Sequence, residues 1–303
     1  MRIIETNLGP VLLGVFFNTY LYGIVTFQYS AYLSTKFRDP LWVKAIVVAL
    51  FFLDTFHTSS LIYMAWYYLI ENYANYLALL SPVWPYPSSM FVTAITALLT
   101  HLFLAYRTLR LTNIYVYGGL VLLSLCSFST GLVCSVKTLA VKDATQMSSA
   151  NPYLSSWLSL EVIADAFISG TLIYALRQSR TGFEKSDTVI NRLMRTSIQT
   201  GLFSGVFSIL TLAFFLGRPD TQMFAFFGLP ISRLYTNTLM DTLLCREGLR
   251  GLLRQVETSA TCTNRSIQLM VHREVHTDSK SERPASIYPL HNTSSLLPVE
   301  SND

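Results

Sequence analysis

The amino-acid sequence predicts an all-α, polytopic membrane protein in which seven transmembrane helices form one bundle. Residues of the set AVILMFWYC make up 51% of the 303 residues, and charged residues make up only 13%, about half the share found in soluble globular domains. The charged residues collect in short clusters between long apolar runs. Seven of these runs reach the length of about 20 residues that a helix needs to cross a bilayer.

The seven apolar runs define the predicted spans. Each span is expected to be a helix, because lipid offers the backbone no hydrogen-bonding partner and a helix satisfies its own amide and carbonyl groups. The spans are Pro10 to Leu33, Ala45 to Ile70, Ser88 to Tyr106, Ile114 to Val136, Ser156 to Leu176, Thr196 to Leu216 and Met223 to Leu244. They lie within a predicted seven-transmembrane helical domain of residues 1–245.

Lysine and arginine residues near the ends of the spans predict the orientation, because cytosolic loops carry an excess of both. One side of the membrane holds thirteen of them, namely Lys36, Arg38, Lys44, Arg107, Arg110, Arg177, Arg180, Lys185, Arg192, Arg195, Arg246, Arg250 and Arg254. The other side holds four, namely Arg2, Lys137, Lys142 and Arg218. We therefore expect the N-terminus to lie outside and the C-terminus to lie in the cytosol, in a membrane that the sequence does not name.

Two further segments follow the last predicted span. In residues 246–257, apolar residues recur at helical spacing on one face, while Arg246, Arg250 and Arg254 recur every fourth residue on another. This pattern predicts an amphipathic interfacial helix whose arginines bind anionic lipids of the inner leaflet. Residues 258–303 are rich in Ser and Thr and show no sustained period, which indicates a disordered cytosolic tail.

A few charged residues inside the spans are the candidates for a functional site. A charge at the bilayer centre costs at least about 2.5 kcal/mol on insertion scales, so such groups face the bundle interior and find partners. At about 1.5 Å of helix rise per residue, Asp54, His57, Asp165 and Arg233 lie near the midplane, and Glu161 lies one turn further out. We predict that Arg233 pairs with Asp165 or Asp54.

The predicted cluster of Asp54, His57, Asp165 and Arg233, with Glu161 at its outer mouth, has two interpretations that the sequence leaves open. The charges form a ligand or ion site, or they only hold the helices together. His101 and Asp241 are placed outside the cluster, toward the cytosol.

Two local patterns concern the last two spans. Pro230 removes an amide donor and clashes with the carbonyl four residues before it, so span seven is predicted to kink near Phe226. In span six, small residues fall on one face with the spacing of a helix-packing motif. They are Ser197, Gly201, Gly205 and Ser208.

The order of these landmarks resembles a family of fungal seven-span membrane proteins known as domain of unknown function 6534. The resemblance runs from about Gly14 to Arg250. The stretches that carry it are Phe52–Thr58, Ala105–Arg107, Leu109–Leu111, Asp165, Ser179–Phe183, Thr188–Arg195, Thr200-Gly201 and Ser232–Leu239. The resemblance implies a seven-span architecture and a basic residue at position 233, usually a lysine. It implies no activity.

The sequence favours a non-enzymatic membrane protein, either a receptor or sensor with a buried polar cluster or, as the alternative, a transporter or proton-linked carrier that uses the buried carboxylates. A metal-dependent membrane hydrolase needs about three histidines, and the spans contain only His57 and His101. No cofactor or metal is predicted. Because the basic residues end the spans, we expect a lipid bilayer and an unknown ligand as partners, and no nucleic acid.

The orientation makes a prediction about two glycosylation sequons in the tail. Asn264 and Asn292 each begin a sequon, and a cytosolic tail never meets the glycosylation machinery. We expect glycosidase treatment of the protein from a glycosylating cell to leave its electrophoretic mobility unchanged. A variant with a sequon in an N-terminal extension, which serves as the control, should shift. A glycan on Asn264 or Asn292 would contradict the orientation.

Overall fold

The computed structural model describes residues 2–35, 39–73, 75, 83–109, 112–140, 144–178, 184–218 and 221–245, with the side chains of 2–5, 144–150 and 184–200 left out. These residues form helices and short connections, without a strand. The all-α prediction is therefore confirmed for this part of the chain.

The helices follow the order of the predicted spans. They are α1 (Arg2–Ser34), α2 (Leu41–Trp66), α3 (Pro85–Leu109), α4 (Ile114–Ala140), α5 (Ala144–Gln178), α6 (Glu184–Gly217), α7 (Met223–Gly228) and α8 (231–245). One π-helical turn, Tyr67–Glu71, continues α2. The described residues contain more helix than the spans require, since α1, α5 and α6 extend beyond the apolar runs.

Among the described residues, five helices are long and apolar enough to cross a membrane, which is the composition of a multi-pass membrane protein. They cover Thr6–Ser34, Leu41–Glu71, Pro85–Leu109, Ile114–Ala140 and Asn151–Gln178. The apolar part of α6 whose side chains are described, Gly201–Gly217, is shorter, and the seventh predicted span is divided between α7 and α8. The structure thus supports five spans, and the count of seven stays a prediction. The interfacial helix of residues 246–257, with Arg246, Arg250 and Arg254, and the tail of residues 258–303 lie outside the described residues.

Helix α3 is the central helix of the described unit. It packs against α2, α4 and α5, and 67% of its apolar stretch is buried, against 33–39% for the other four candidate spans. Helix α7 packs between α1 and α6. Side chains that project from α3 therefore meet groups from several other helices.

Apolar layers close the helical unit toward both ends. The layer that we call the lower core contains Val47, Leu50, Leu104, Leu172 and Leu243 among its buried members. The upper core contains Met90, Cys134, Leu154, Trp157 and Phe215. Asp54, Asp165 and Arg233 fall between these layers along their helices, so any water or ligand that reaches them from the lower end must displace packed apolar side chains.

Pro230 ends one helix and starts another. Residues 229 and 230 form a turn between α7 and α8, and the Pro230 carbonyl accepts hydrogen bonds from the amides of Arg233 (2.9 Å) and Leu234 (3.1 Å). Proline has no amide to donate, so the helical ladder stops there. The interruption lies at Leu229 and Pro230, later than the predicted kink near Phe226. It places Arg233 in the first turn of α8.

Glycines allow close approach between some helices. A Cβ atom added at Gly201 would lie 2.7 Å from Oγ of Ser169 on α5, whereas one added at Gly205 meets nothing within 4 Å. The side chain of Ser197 is not described.

Gly14 on α1 faces α7, where an added Cβ would lie 3.1 Å from the Ala225 carbonyl oxygen. Backbone atoms cannot move aside as a flexible side chain can, so Gly14 sets the distance between α1 and α7.

The substitution Gly14→Ala tests this helix contact. Overpacking typically costs about 1–3 kcal/mol, so we expect the melting temperature of the purified protein in detergent to fall. The matched control is Gly23→Ala, also on α1, where an added Cβ meets nothing within 4 Å and alanine raises helix propensity. Equal melting temperatures for the two variants would show that α1 and α7 do not pack this closely.

Candidate ligand site

Arg233 is the centre of the first buried polar group, which we call the arginine cluster and which also contains Asp54, His57 and Thr58. Its Nη1 donates to Oδ1 of Asp54, and its Nη2 lies 2.7 Å from the Asp54 carbonyl oxygen, 2.9 Å from Nδ1 of His57 and 3.2 Å from Oγ1 of Thr58. Arg233, Asp54 and His57 are fully buried. A buried guanidinium is stable only with such a set of acceptors.

The arginine cluster extends onto α1 and α8. The second carboxylate oxygen of Asp54 accepts a hydrogen bond from the Tyr29 hydroxyl (2.9 Å), and Oδ1 accepts one from Thr236 (3.2 Å). The Tyr22 ring lies 5.8 Å from Cζ of Arg233, within the range of a cation–π contact. Three helices thus hold the Asp54–Arg233 ion pair in one geometry.

The contacts of His57 define its tautomer. Arg233 only donates, so Nδ1 of His57 accepts, and the ring proton is on Nε2. Nε2 lies 2.8 Å from Oγ of Ser89 on α3, so His57 donates to this hydroxyl. His57 therefore links the arginine cluster to the start of α3.

Asp165 is the centre of a second group, the aspartate cluster, which also contains His101, Ser208 and Tyr235. Oδ1 of Asp165 lies 3.1 Å from Nε2 of His101, and Oδ2 accepts hydrogen bonds from Tyr235 (2.8 Å) and Ser208 (3.2 Å). These residues come from α3, α5, α6 and α8. Asp165 is 5% exposed, and its three donors satisfy a buried carboxylate.

Glu161 lies one turn before Asp165 on α5 and is only partly satisfied. Its Oε2 accepts a hydrogen bond from Ser127 on α4. Its Oε1 has no hydrogen-bonding partner among the described residues, and the residue is 4% exposed. A buried carboxylate oxygen without a partner is costly, so it marks a position where a further group would be stabilising.

A cavity of about 60 Å³ lies beside Glu161. Its lining comes from the beginning of α3, the first half of α5, α6, α7 with the turn that follows it, and the first residue of α8. The lining residues with polar side-chain atoms are Tyr86, Ser89, Thr93, Trp157, Glu161 and Ser208. The hydroxyl of Tyr86 is buried and has no hydrogen-bonding partner among the described residues.

Two of the polar lining residues connect the cavity to the two clusters. Ser89 accepts the hydrogen bond from His57, and Ser208 donates to Asp165. The arginine cluster therefore reaches the cavity through the Ser89 hydroxyl, and the aspartate cluster reaches it through the Ser208 hydroxyl. Ligand sites in proteins have this composition, an apolar concave surface with a few polar groups.

The structure brings some of the predicted site residues together and separates others. Asp54, His57 and Arg233 form one group, and Arg233 pairs with Asp54. Asp165 instead bonds His101, which the sequence places outside the cluster. Glu161 lies at the cavity. Whether these groups bind a ligand or ion stays a prediction.

Sequence reasoning missed the hydroxyl groups that complete both clusters. Tyr29, Ser89, Thr236 and Tyr235 all bond to predicted residues, yet tyrosine, serine and threonine are common in membrane helices at many positions. Tyr235 and Thr236 lie within one helical turn of Arg233, which is a sequence signal for them, whereas Tyr29 and Ser89 have no charged residue within one turn.

Asp241 takes part in a separate contact, in which Gln28 donates to Asp241 (2.9 Å) and to Asn237.

The described helices and buried clusters define the class of this protein, a helical membrane protein with a polar interior. Within the described residues, no group of three or more His, Cys, Asp or Glu has the arrangement of a metal site. Residues 161–248 match the model of a family described as a family of unknown function, DUF6534. This match confirms the resemblance seen in the sequence, although the fungal origin stays untested. No curated protein and no solved structure matches the chain.

A double-mutant cycle tests the pairing of Arg233 with Asp54. Removing one member of a buried ion pair leaves an uncompensated charge and typically costs about 3–5 kcal/mol. We expect Arg233→Met to lower the melting temperature in detergent strongly, and Asp54→Asn added to it to restore part of the loss. Asp165→Asn added to Arg233→Met is the matched control and should restore nothing. Equal recovery by both second substitutions would contradict the pairing.

Proposed function

We propose that this protein is a seven-span membrane receptor or sensor that binds a small ligand in the cavity beside Glu161. The observation that carries the proposal is a set of three buried polar atoms that have no hydrogen-bonding partner among the described residues and belong to residues lining the cavity, namely Oε1 of Glu161, the Tyr86 hydroxyl and Nε1 of Trp157. Native proteins leave few buried polar atoms unsatisfied, and a bound molecule supplies the missing partners.

The position of the cavity supports binding from outside the cell. With the N-terminus outside and seven spans, as the distribution of Lys and Arg predicts, the cavity faces the outer half of the membrane. The lower core lies between the polar clusters and the cytosolic end. In this arrangement a ligand enters and leaves on one side, which favours sensing over transport.

The two clusters offer a way for the ligand to act on the rest of the molecule. A ligand that competes for Ser89 weakens the bond from His57, and one that competes for Ser208 weakens a bond to Asp165. Arg233 and Tyr235 belong to these clusters and both lie on α8, just after the break at Pro230. Binding is therefore expected to change the position of α8, whose end leads into the cytosolic part of the chain.

The alternative function is a proton-linked carrier that uses the buried carboxylates. The aspartate cluster favours it, because His101, Asp165 and Tyr235 form a continuous hydrogen-bonded series. A carrier moves its substrate across vesicle membranes and a receptor does not. Flux that depends on a proton gradient and disappears with Asp165→Asn would therefore favour the carrier.

A cavity-filling variant tests the proposed site. Thr93 lines the cavity, and Thr93→Leu adds a branched apolar side chain there. The control, Thr26→Leu, makes the same change at an exposed position of α1. The probes are methylamine, ethylamine and propylamine, with the alcohols and carboxylic acids of equal chain length.

We expect saturable binding of at least one probe to the protein in lipid nanodiscs, detected by saturation-transfer NMR. Binding should weaken at least tenfold with Thr93→Leu and stay within twofold with Thr26→Leu, because only the first change removes cavity volume. The absence of binding by every probe, or equal binding by both variants, would contradict the proposal.

A further inference from the structure

Glu161 has no basic partner of its own in the described part of the chain. Asp54 is paired with Arg233, and Asp165 is bonded to His101. The electrostatic field of His101 also reaches Glu161, but Nε2 of this histidine is occupied by Asp165. The carboxylates Glu161 and Asp165 therefore share at most one positive charge.

From this charge balance we infer that the cavity binds a small primary ammonium ion, a protonated short alkylamine, with the Glu161 carboxylate as its counter-charge. The inference rests on the proposed function and adds the chemical class of the ligand. A buried carboxylate needs a counter-ion or a proton. Glu161, whose Oε1 has no hydrogen-bonding partner among the described residues, lines the cavity, so a cation that enters this space lies beside its carboxylate.

The hydrogen-bonding groups of the cavity fit an ammonium group. A primary ammonium has three N–H donors and no acceptor. Oε1 of Glu161 is an acceptor, the Tyr86 hydroxyl is free to accept, and Ser208 keeps acceptor capacity after donating to Asp165. Nε1 of Trp157 is a lining donor that the ammonium group does not bind. A carboxylate ligand would place a second negative charge beside Glu161, and an alcohol would leave the charge of Glu161 uncompensated.

The size and the apolar lining of the cavity limit the body of the ligand. The volume of about 60 Å³ is several times the roughly 10–15 Å³ that a cavity needs to hold one water molecule. The apolar lining residues include Met90, Leu154, Leu158, Phe224 and Leu229. The short alkyl group of the ligand contacts these side chains, and the small volume favours a short chain.

The experiment compares cations with neutral molecules of the same length. Methylammonium and ethylammonium are titrated against methanol and ethanol, on the full chain in nanodiscs, by saturation-transfer NMR. In the wild type we expect ethylammonium to bind at least tenfold more tightly than ethanol. With Glu161→Gln, which keeps the shape of the side chain and removes its charge, ammonium binding should weaken at least tenfold while ethanol binding changes less than twofold.

Two further variants separate the ligand contact from a general effect on folding. Glu71→Gln removes a carboxylate at an exposed position at the end of the π-helical turn and should leave the affinity for ethylammonium unchanged. Tyr86→Phe removes a hydroxyl that has no partner among the described residues, so it should preserve folding and weaken ethylammonium binding about threefold to tenfold. The melting temperature of each variant confirms that it is folded.

The outcomes distinguish this inference from the proposed function. If ethanol binds as tightly as ethylammonium and Glu161→Gln changes neither, Glu161 is a neutral acid and the inference is overturned, although the cavity is still a ligand site. If ethylammonium binds equally to the wild type and to Thr93→Leu, it binds elsewhere and the inference fails. If no amine, alcohol or acid binds to the wild type, both this inference and the proposed function fail.

Discussion

The ion pair between Arg233 and Asp54 is the constraint on which the rest of the structure depends. Arginine stays charged in proteins, so a fully buried guanidinium must be surrounded by acceptors wherever it lies. The acceptors come from Asp54, His57 and Thr58 on α2, and α1 and α8 supply the residues that hold Asp54. Because these groups are far apart in the sequence, the bundle forms correctly only when three helices meet at one position.

The break at Pro230 makes this meeting possible. It ends α7, which packs between α1 and α6, and α8 begins directly after it. Arg233 lies in the first turn of α8, and Tyr235 follows two residues later. One short helix thereby contributes to both polar clusters. Most of the residues of span seven that line the cavity lie in α7 and the turn after it, before Pro230, and Ile231 follows the proline. The residues of span seven that belong to the two clusters lie on α8.

The distribution of satisfied and unsatisfied polar groups distinguishes structure from function within the site. The carboxylates of Asp54 and Asp165 have complete sets of partners, as groups with a structural role do. Glu161, Tyr86 and Trp157 each keep a polar atom without a partner among the described residues, and all three line the same cavity. The coincidence of these atoms with one cavity is the reason to regard the upper half of the molecule as the binding region and the two clusters as its connection to α8.

The sequence by itself determined that the chain is a helical membrane protein, that each apolar run contains helix, and that the charges within the runs must find partners. The reason is that hydrocarbon excludes both unpaired backbone groups and isolated charges. It narrowed the partner of Arg233 to Asp54 or Asp165. Only the tertiary structure decided between them, joined His101 to Asp165, and added Tyr29, Ser89 and Tyr235. Those contacts depend on the rotation and tilt of each helix about its neighbours, which the apolar period along one helix does not specify.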